Sequence, residues 1–576
     1  MKLNFRKQIL MKPLYYIIPL IILICCNQNT KETKVSNASL VDISFIYSPI
    51  KIDSTVVKSY NNQELTDFYK KNNFETVWQK EIHRNTVITE FQNATADGLL
   101  PEDYNFSKLN DMNSNFGSLE VYKAIEFDLL FTLSLQKYIS HIYKGKISPK
   151  LAAGSWDLKI KTVDTNLIIE QALADNDFVS KFESLKPKHP IYNGLKQALQ
   201  LLNSLPKDTI QFIQISKKDK FLLNKSSKKI KNVKLKLMYW QDMKKTDTVT
   251  NIYDAETIAG LKKFQARHGL VPDGLIGNGT VLALNNTKDQ RITQIIANLE
   301  RWRWFSSDFG KNYLLINIPD YSIVAIKDND TMQKQRVVVG KETRQTPIIE
   351  SKVSNINLNP NWTVPPTILN EDIFPDAIKN KGTFKKKGLV IMNNKNKEVN
   401  PWTWKLEDAK KYKYVQNPSR NNALGSMKIN FPNKYSVYLH DTNHRDYFVL
   451  NYRSLSSGCV RLEKPLEMAA YIINDTVKWN LKRIKDTTDI AYYKKLQSIK
   501  EKKIAAKNAK LLAKNPLLVF PVKVYPKPEL KTIVIPIKEE IQIHQLYWTA
   551  WSNNGQLNFR DDIYCLDFDL YSKLRN

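Results

Sequence analysis

Cysteine and glycine are both scarce in this chain: four and 17 among 576 residues. Cys25 and Cys26 adjoin in an N-terminal apolar run, while Cys459 and Cys565 lie far apart, so there is no CxxC pair and no disulfide framework. Neither a Gly-rich phosphate loop nor a Gly-x-Ser-x-Gly elbow occurs. Apolar residues make up 42% and charged residues 25%, ordinary for a globular protein, which excludes a polytopic membrane protein, a collagen-like chain and a wholly disordered one. Acidic residues are also short. Lys+Arg 87 against Asp+Glu 57 leaves a formal charge of +30. Such an excess favours polyanionic partners, either nucleic acid or an anionic wall or membrane surface, with a solvated Lys-rich surface as the plainer reading. The length suits about three or four domains, each able to bury its own core.

Lys2, Arg6, Lys7 and Lys12 precede the apolar run Leu14–Cys25, the layout of a signal peptide and too short for a usual membrane span. Met11 is an alternative start. The end of the run, Leu23-Ile24-Cys25-Cys26, resembles a bacterial lipobox. Cys26 is then the expected lipidated residue, and Cys25, standing where a small residue is usual, the other candidate. Residues 1–26 are expected to form the signal and lipobox and 27–42 a tether, which places the protein in the periplasm on a lipid anchor. Export argues against nucleic acid as a partner.

Residues 43–231 read as mostly helical. Phe127, Leu130, Phe131, Leu135, Tyr138, Ile139 and Ile142 keep a 3.6-residue period. Residues 232–286 form a small unit: Ile258, Leu261 and Phe264 share a helical face, Gly269 suits a C-cap, and Thr280 caps a second short helix. From Tyr313 the pattern turns to strands, interrupted by a loop rich in Pro, Trp, Asn and Lys over about 360–421, far longer than ordinary connections and expected to be a lid. Residues 483–515 are Lys-rich and helix-permissive, and 516–576 are β-rich, with Asn554-Gly555 as a hairpin turn.

The chemistry concentrates in Val437–Glu463. His440 closes a strand and Cys459 follows in Ser456-Ser457-Gly458-Cys459. An imidazole can take the thiol proton and give a nucleophilic thiolate. Gly458 permits a tight turn that leaves the Gly458 and Cys459 amides for an oxyanion. Arg461 is placed to favour the thiolate or to hold a substrate carboxylate. Two other readings stand beside acyl transfer: a buried structural thiol, and a zinc site from His440, His444 and Cys459, which lacks recognisable further ligands.

The His440-Asp441-Thr442 and Arg453-x-x-Ser456-Ser457-Gly458-Cys459-x-Arg461 runs resemble the active-site signature of the L,D-transpeptidases of peptidoglycan, in their large Gram-negative form. Smaller relatives have Gly after the His and usually His before the Gly-Cys; Asp441 and Ser457 stand there instead. The group that orients His440 is expected to be a backbone carbonyl, with Asp441 as the other possibility. Phe264-Gln265…His268-Gly269-Leu270…Asp273-Gly274 resembles a peptidoglycan-binding-like three-helix module, and Glu300-Arg301-Trp302-Arg303-Trp304 the linker into the catalytic domain.

The resemblance implies a multidomain α+β protein: a helical scaffold (43–231), the module (232–286), a linker (287–312), a mostly-β catalytic domain (313–482) carrying the lid, a Lys-rich helical insertion (483–515) and C-terminal strands that complete the catalytic domain (516–576). It implies Cys459 as nucleophile, His440 as general base and acid, and Arg461, Ser456, Ser457 and Trp362 as substrate contacts, with no metal and no organic cofactor. The implied partners are peptidoglycan stem peptides, a tetrapeptide donor and a diaminopimelate acceptor. An L,D-carboxypeptidase, an enzyme attaching or releasing protein on peptidoglycan, and a non-catalytic wall-binding scaffold are the alternatives.

Overall fold

The computed structural model describes residues 48–152, 154–305, 308–514, 520, 528–553 and 555–576. The expected signal, lipobox and tether, with Cys25 and Cys26, lie outside the described residues, as does Asn554 of the expected hairpin turn. Among the described residues no helix is long and apolar enough to cross a membrane.

The scaffold is built around the 24-residue helix Val121–Lys144. Its periodic face, Phe127, Phe131, Leu135, Tyr138, Ile139 and Ile142, is buried among Leu65, Phe68, Phe91 and Phe182 from the surrounding helices and Trp78 from a connecting segment. Asp128 on the same helix accepts from the Tyr69 hydroxyl and from the amides of Val77 and Trp78. Those bonds tie a non-helical segment to the helix and satisfy donors that burial would otherwise strand. The helix Pro190–Ser204 leaves this core. Tyr192, Leu195, Leu199 and Leu202 pack instead with the catalytic domain, and Gly194 is needed because a Cβ there would lie 2.6 Å from Ser552 Cβ.

The core of the small module reaches ahead of the expected Asn232: the helix Lys228–Tyr239 supplies Ile230, Val233 and Leu237, and Ile213 packs with them. The segment expected to be a linker is a strut. Helix Lys288–Trp304 is buried along its whole second half, where Arg303 pairs with Glu300 and donates to the Asp97 carbonyl at 2.8 Å. An isolated linker carrying three arginines would be solvated. Here three cores close around it, and each buried guanidinium must be paired.

The expected catalytic domain holds a curled sheet in which the strand order is not the chain order. Strand Gln542–Leu546, from the C-terminal region, inserts between Asn312–Asn317 (parallel) and Ile348–Lys352 (antiparallel). Strand Ile533–Pro536 adds beside Asn355–Leu358. The C-terminal residues therefore complete this sheet. They also form the hairpin Ala550–Asn553/Gln556–Phe559 and a last helix, Leu566–Arg575. The Lys-rich stretch is helical, Leu481–Thr488 and Ile490–Lys514. The expected lid loop is instead a folded subdomain. A small sheet of Trp362–Thr363, Lys413–Gln416, Val390–Met392 and Glu398–Val399 packs with short helices around Phe374, Phe384, Trp404 and Tyr414.

Candidate active site

Three short strands build the site. Strand Leu439–His440 pairs antiparallel with Met427–Asn430, placing Lys428 opposite His440. On its other side it pairs parallel with Val460–Leu462, placing His440 opposite Arg461. Side chains alternate along each strand. Met427, Ile429, Leu439, Val460 and Leu462 therefore point inward, and all are fully buried. The opposite face carries Lys428, Tyr438, His440, Cys459 and Arg461. Two-residue alternation thus converts three apolar–polar patterns into one reactive surface on a dry core.

Gly458 makes the turn into Cys459. Its φ of +110° lies in the region that side chains rarely adopt. Its carbonyl accepts from Thr346 Oγ1 at 2.8 Å, and its amide donates to Ser456 Oγ at 3.2 Å. The Ser456 hydroxyl in turn donates to the Cys459 carbonyl at 2.6 Å. Ser456, expected to touch substrate, is buried and has its hydroxyl engaged by this turn. The Gly458 amide, expected at an oxyanion, is likewise occupied. No hydrogen bond engages the Cys459 amide among the described residues.

Tyr438 flanks the Cys459 thiol from the neighbouring strand. Burial pushes the thiol above its ordinary value, against the pull of the Tyr438 amide and hydroxyl, Lys428 and Arg461. His440 is only 5% exposed. Burial first, then the Arg461 guanidinium, lowers it to about 3, so it is a neutral imidazole at physiological pH. Its Nδ1 bonds the Asp441 carbonyl oxygen. A carbonyl can only accept, so Nδ1 carries the hydrogen and Nε2 keeps its lone pair for a proton. The Asp441 carboxylate is turned elsewhere, to the Ser426 amide and hydroxyl and to Arg445 at 2.8 Å. The backbone carbonyl thus orients the ring. The resting pair is a neutral thiol and a neutral imidazole, and no hydrogen bond joins them among the described residues.

Arg461 Nη1 lies 3.4 Å from Thr442 Oγ1, and its guanidinium stands 5.6 Å from the Tyr447 ring centroid. Its Nε is buried without a partner. Trp362, at the entry to the lid, lies close enough to the Tyr438 hydroxyl to pull it down against burial, so the lid approaches the site through an indole. Ser457 is exposed beside the cysteine and accepts from Arg344 Nη1 at 2.9 Å. The same guanidinium binds Asp372 at 2.6 Å and also Glu371, both on the lid. These carboxylates raise Arg344 further above its already high value. Charge-assisted bonds of this kind are the strong ones. His444 is not part of the cluster. It stacks on Tyr447 at 5.0 Å, and no group of three His, Cys, Asp or Glu among the described residues is placed to hold a metal.

Tyr438, Lys428 and Arg344 escape a reading of the sequence. Tyr438 has a local signal, since a strand residue two before His440 shares its face. Lys428 and Arg344 have none, because only strand register places Lys428 opposite His440 and only lid docking holds Arg344 beside Ser457.

Residues 63–199 match the family description "Scaffold domain", 226–284 "Putative peptidoglycan binding domain" and 311–482 "L,D-transpeptidase catalytic domain". A Haemophilus influenzae protein named "Putative L,D-transpeptidase" is 31% identical over 284 residues, 49% of this chain and 50% of that protein, so the match spans about half the length of the relative. A crystal structure of L,D-transpeptidase (Yku) from Stackebrandtia nassauensis shares 14% identity over 43% of this chain and 86% of that one, with a TM-score of 0.17 that carries no argument. The third domain match contains every residue of the cluster around Cys459, and the other two matches precede it in order, so residues 311–482 are similar to an L,D-transpeptidase catalytic domain behind scaffold and peptidoglycan-binding regions.

Proposed function

We propose that the protein cross-links peptidoglycan stem peptides by cysteine acyl transfer, joining diaminopimelate residues. One observation carries this reading: a buried neutral imidazole with a free Nε2 and the Cys459 thiol share one sheet face with Tyr438, beside the lid residue Trp362. The Cys459 sulfur attacks the carbonyl of the third stem residue of a donor tetrapeptide, and its proton passes to His440 Nε2. The Cys459 amide and the Tyr438 hydroxyl hold the tetrahedral oxyanion. Collapse breaks the peptide bond, His440 gives its proton to the departing D-Ala amine, and a thioester remains. The side-chain amine of an acceptor stem then attacks the thioester while His440 takes its proton. The bond broken supplies the energy of the bond made. Arg461 holds a donor carboxylate, and the lid keeps water from the thioester. Export to the periplasm on a lipid anchor belongs to the same reading.

The test incubates the protein and its Cys459→Ala variant with a purified disaccharide-tetrapeptide and follows protein and muropeptide masses. A Cys459-dependent adduct with a cross-linked dimer is expected. A Cys459-dependent tripeptide without dimer moves the reading to a carboxypeptidase. No change in either mass leaves a wall-binding scaffold.

A further inference from the structure

Lys428 has no role in the scheme above. It lies on the strand beside His440, in register with it, and on the reactive face. Its ammonium sits 3.9 Å from the centroid of the Tyr438 ring. This lysine is half-buried, yet it makes no ion pair and no side-chain hydrogen bond among the described residues. Buried lysines elsewhere in the chain are paired: Lys186 with Glu183, Lys234 with Asp254 and Lys236 with Asp208. A desolvated cation without an anion is costly. The anion that can form beside it is the thiolate of Cys459, across the Tyr438 ring.

We propose that Lys428 is a positioning residue for the acyl transfer: its ammonium, seated on the Tyr438 ring, stabilises the Cys459 thiolate as it forms and sets the pH at which the sulfur becomes nucleophilic. The charged and titratable groups around the sulfur are few. Lys428 faces it from one strand, Tyr438 and His440 from the next, and Arg461 from its own. Arg344, at Ser457, is neutralised by Glu371 and Asp372. Arg461 is shared with Thr442 and Tyr447. Burial lowers Lys428, and Cys459 is the charge that opposes this. The reciprocal influence appears at the thiol, which Lys428 pulls down. The ring also keeps Lys428 from collapsing onto the nascent thiolate as a tight ion pair, which would blunt the nucleophile.

The inference deepens the acyl-transfer reading and rests on it, but its test is read on the free protein without substrate. The full chain in detergent is alkylated with neutral iodoacetamide from pH 5 to 10, and modification of the Cys459 peptide is quantified by mass. Lys428→Met and Lys428→Gln are expected to raise the alkylation midpoint by about one pH unit and to slow modification at pH 7 roughly 10-fold. Lys428→Arg is expected to restore the wild-type midpoint. Melting temperature shows which variants are folded, and either charge-removing variant suffices for the reading. An unchanged midpoint overturns the proposal. So does an unchanged midpoint with a raised KM for the donor, which makes Lys428 a substrate contact. An Arg variant that behaves like Met also overturns it, because a packing role would then explain the effect.

Discussion

His440 and His268 share much and do different work. Each is buried, each bonds a main-chain carbonyl through Nδ1, and each is pushed below the ordinary imidazole value by burial with arginines nearby. His268 is sandwiched between Phe264 at 3.8 Å and Phe559 at 5.6 Å. Behind it, Arg560 donates to the Arg267 carbonyl at 3.0 Å and pairs with Asp320, fastening the module to the catalytic domain. Both faces of that ring are covered by carbon. His440 instead meets Tyr438 edge-on at 5.6 Å, with Cys459 on the adjoining strand. A suppressed imidazole is a consequence of burial. It becomes chemistry only where a nucleophile shares its face.

The largest effect separates the two rings. His440→Ala is expected to lower turnover by about 10²–10⁴-fold, while His268→Phe, which keeps the stack, leaves kcat within about threefold. Equal losses would erase the contrast, and steady-state kinetics on muropeptides measures it.

Next comes the tyrosine that His268 lacks. Tyr438→Phe removes the hydroxyl that reaches Cys459 and Trp362 and is expected to cost roughly 100-fold in kcat with little change in KM. A loss confined to KM would assign the hydroxyl to ground-state binding.

Smaller still is the lid. Arg344→Gln frees Glu371 and Asp372 from their anchor beside Ser457. Acylation should stay within a few-fold, while the ratio of hydrolysis to cross-linking rises roughly threefold as water enters. An unchanged ratio measured by muropeptide chromatography would show that the Trp362 contact alone seats the lid.

The smallest effect is one both rings share. His440 and His141 are lowered to about 3, and His83, His189 and His268 are lowered as well, all chiefly by burial. The unfolded chain takes up protons near pH 6.5 that the native fold refuses. Their contribution is therefore complete above that pH and is lost as pH falls toward 3. Asp128, raised to about 7 by burial, works the opposite way: it keeps its proton in the fold, and its contribution is lost as pH rises through 7. His268→Phe removes one of the histidine terms. It should reduce the acid-induced loss of stability by up to about 1.4 kcal/mol per pH unit, read from urea midpoints at pH 7 and 5.

Much of the site could be found before folding was considered. His440 and Cys459 stand out because strand-ending His and Gly-Cys turn are local patterns, whereas a backbone carbonyl was only the favoured group for orienting the ring, with Asp441 left open until the structure turned its carboxylate to Ser426 and Arg445. Ser456 looked like a substrate contact because a hydroxyl next to a nucleophile is indistinguishable, in sequence, from one that ties the turn. The lid looked like a loop because its strands are two to four residues long, too short for periodicity to register. The supposed linker gave no sign of its burial because nothing local says that three cores meet on it.

The sequence by itself determined the α+β division, the helical period of the scaffold, the alternation that sends Leu439 and Val460 inward, and the turn at Gly458 that leads into Cys459. These depend on neighbours within a few residues, where sterics and hydrophobic period act directly. Only the tertiary structure decided that Lys428 faces His440, that the Asp441 carboxylate belongs to Ser426 and Arg445, that Arg344 anchors the lid beside Ser457, and that the Gln542–Leu546 strand returns to the middle of the sheet. Those are choices of register and docking between distant segments, and no single segment carries the free energy that selects among them.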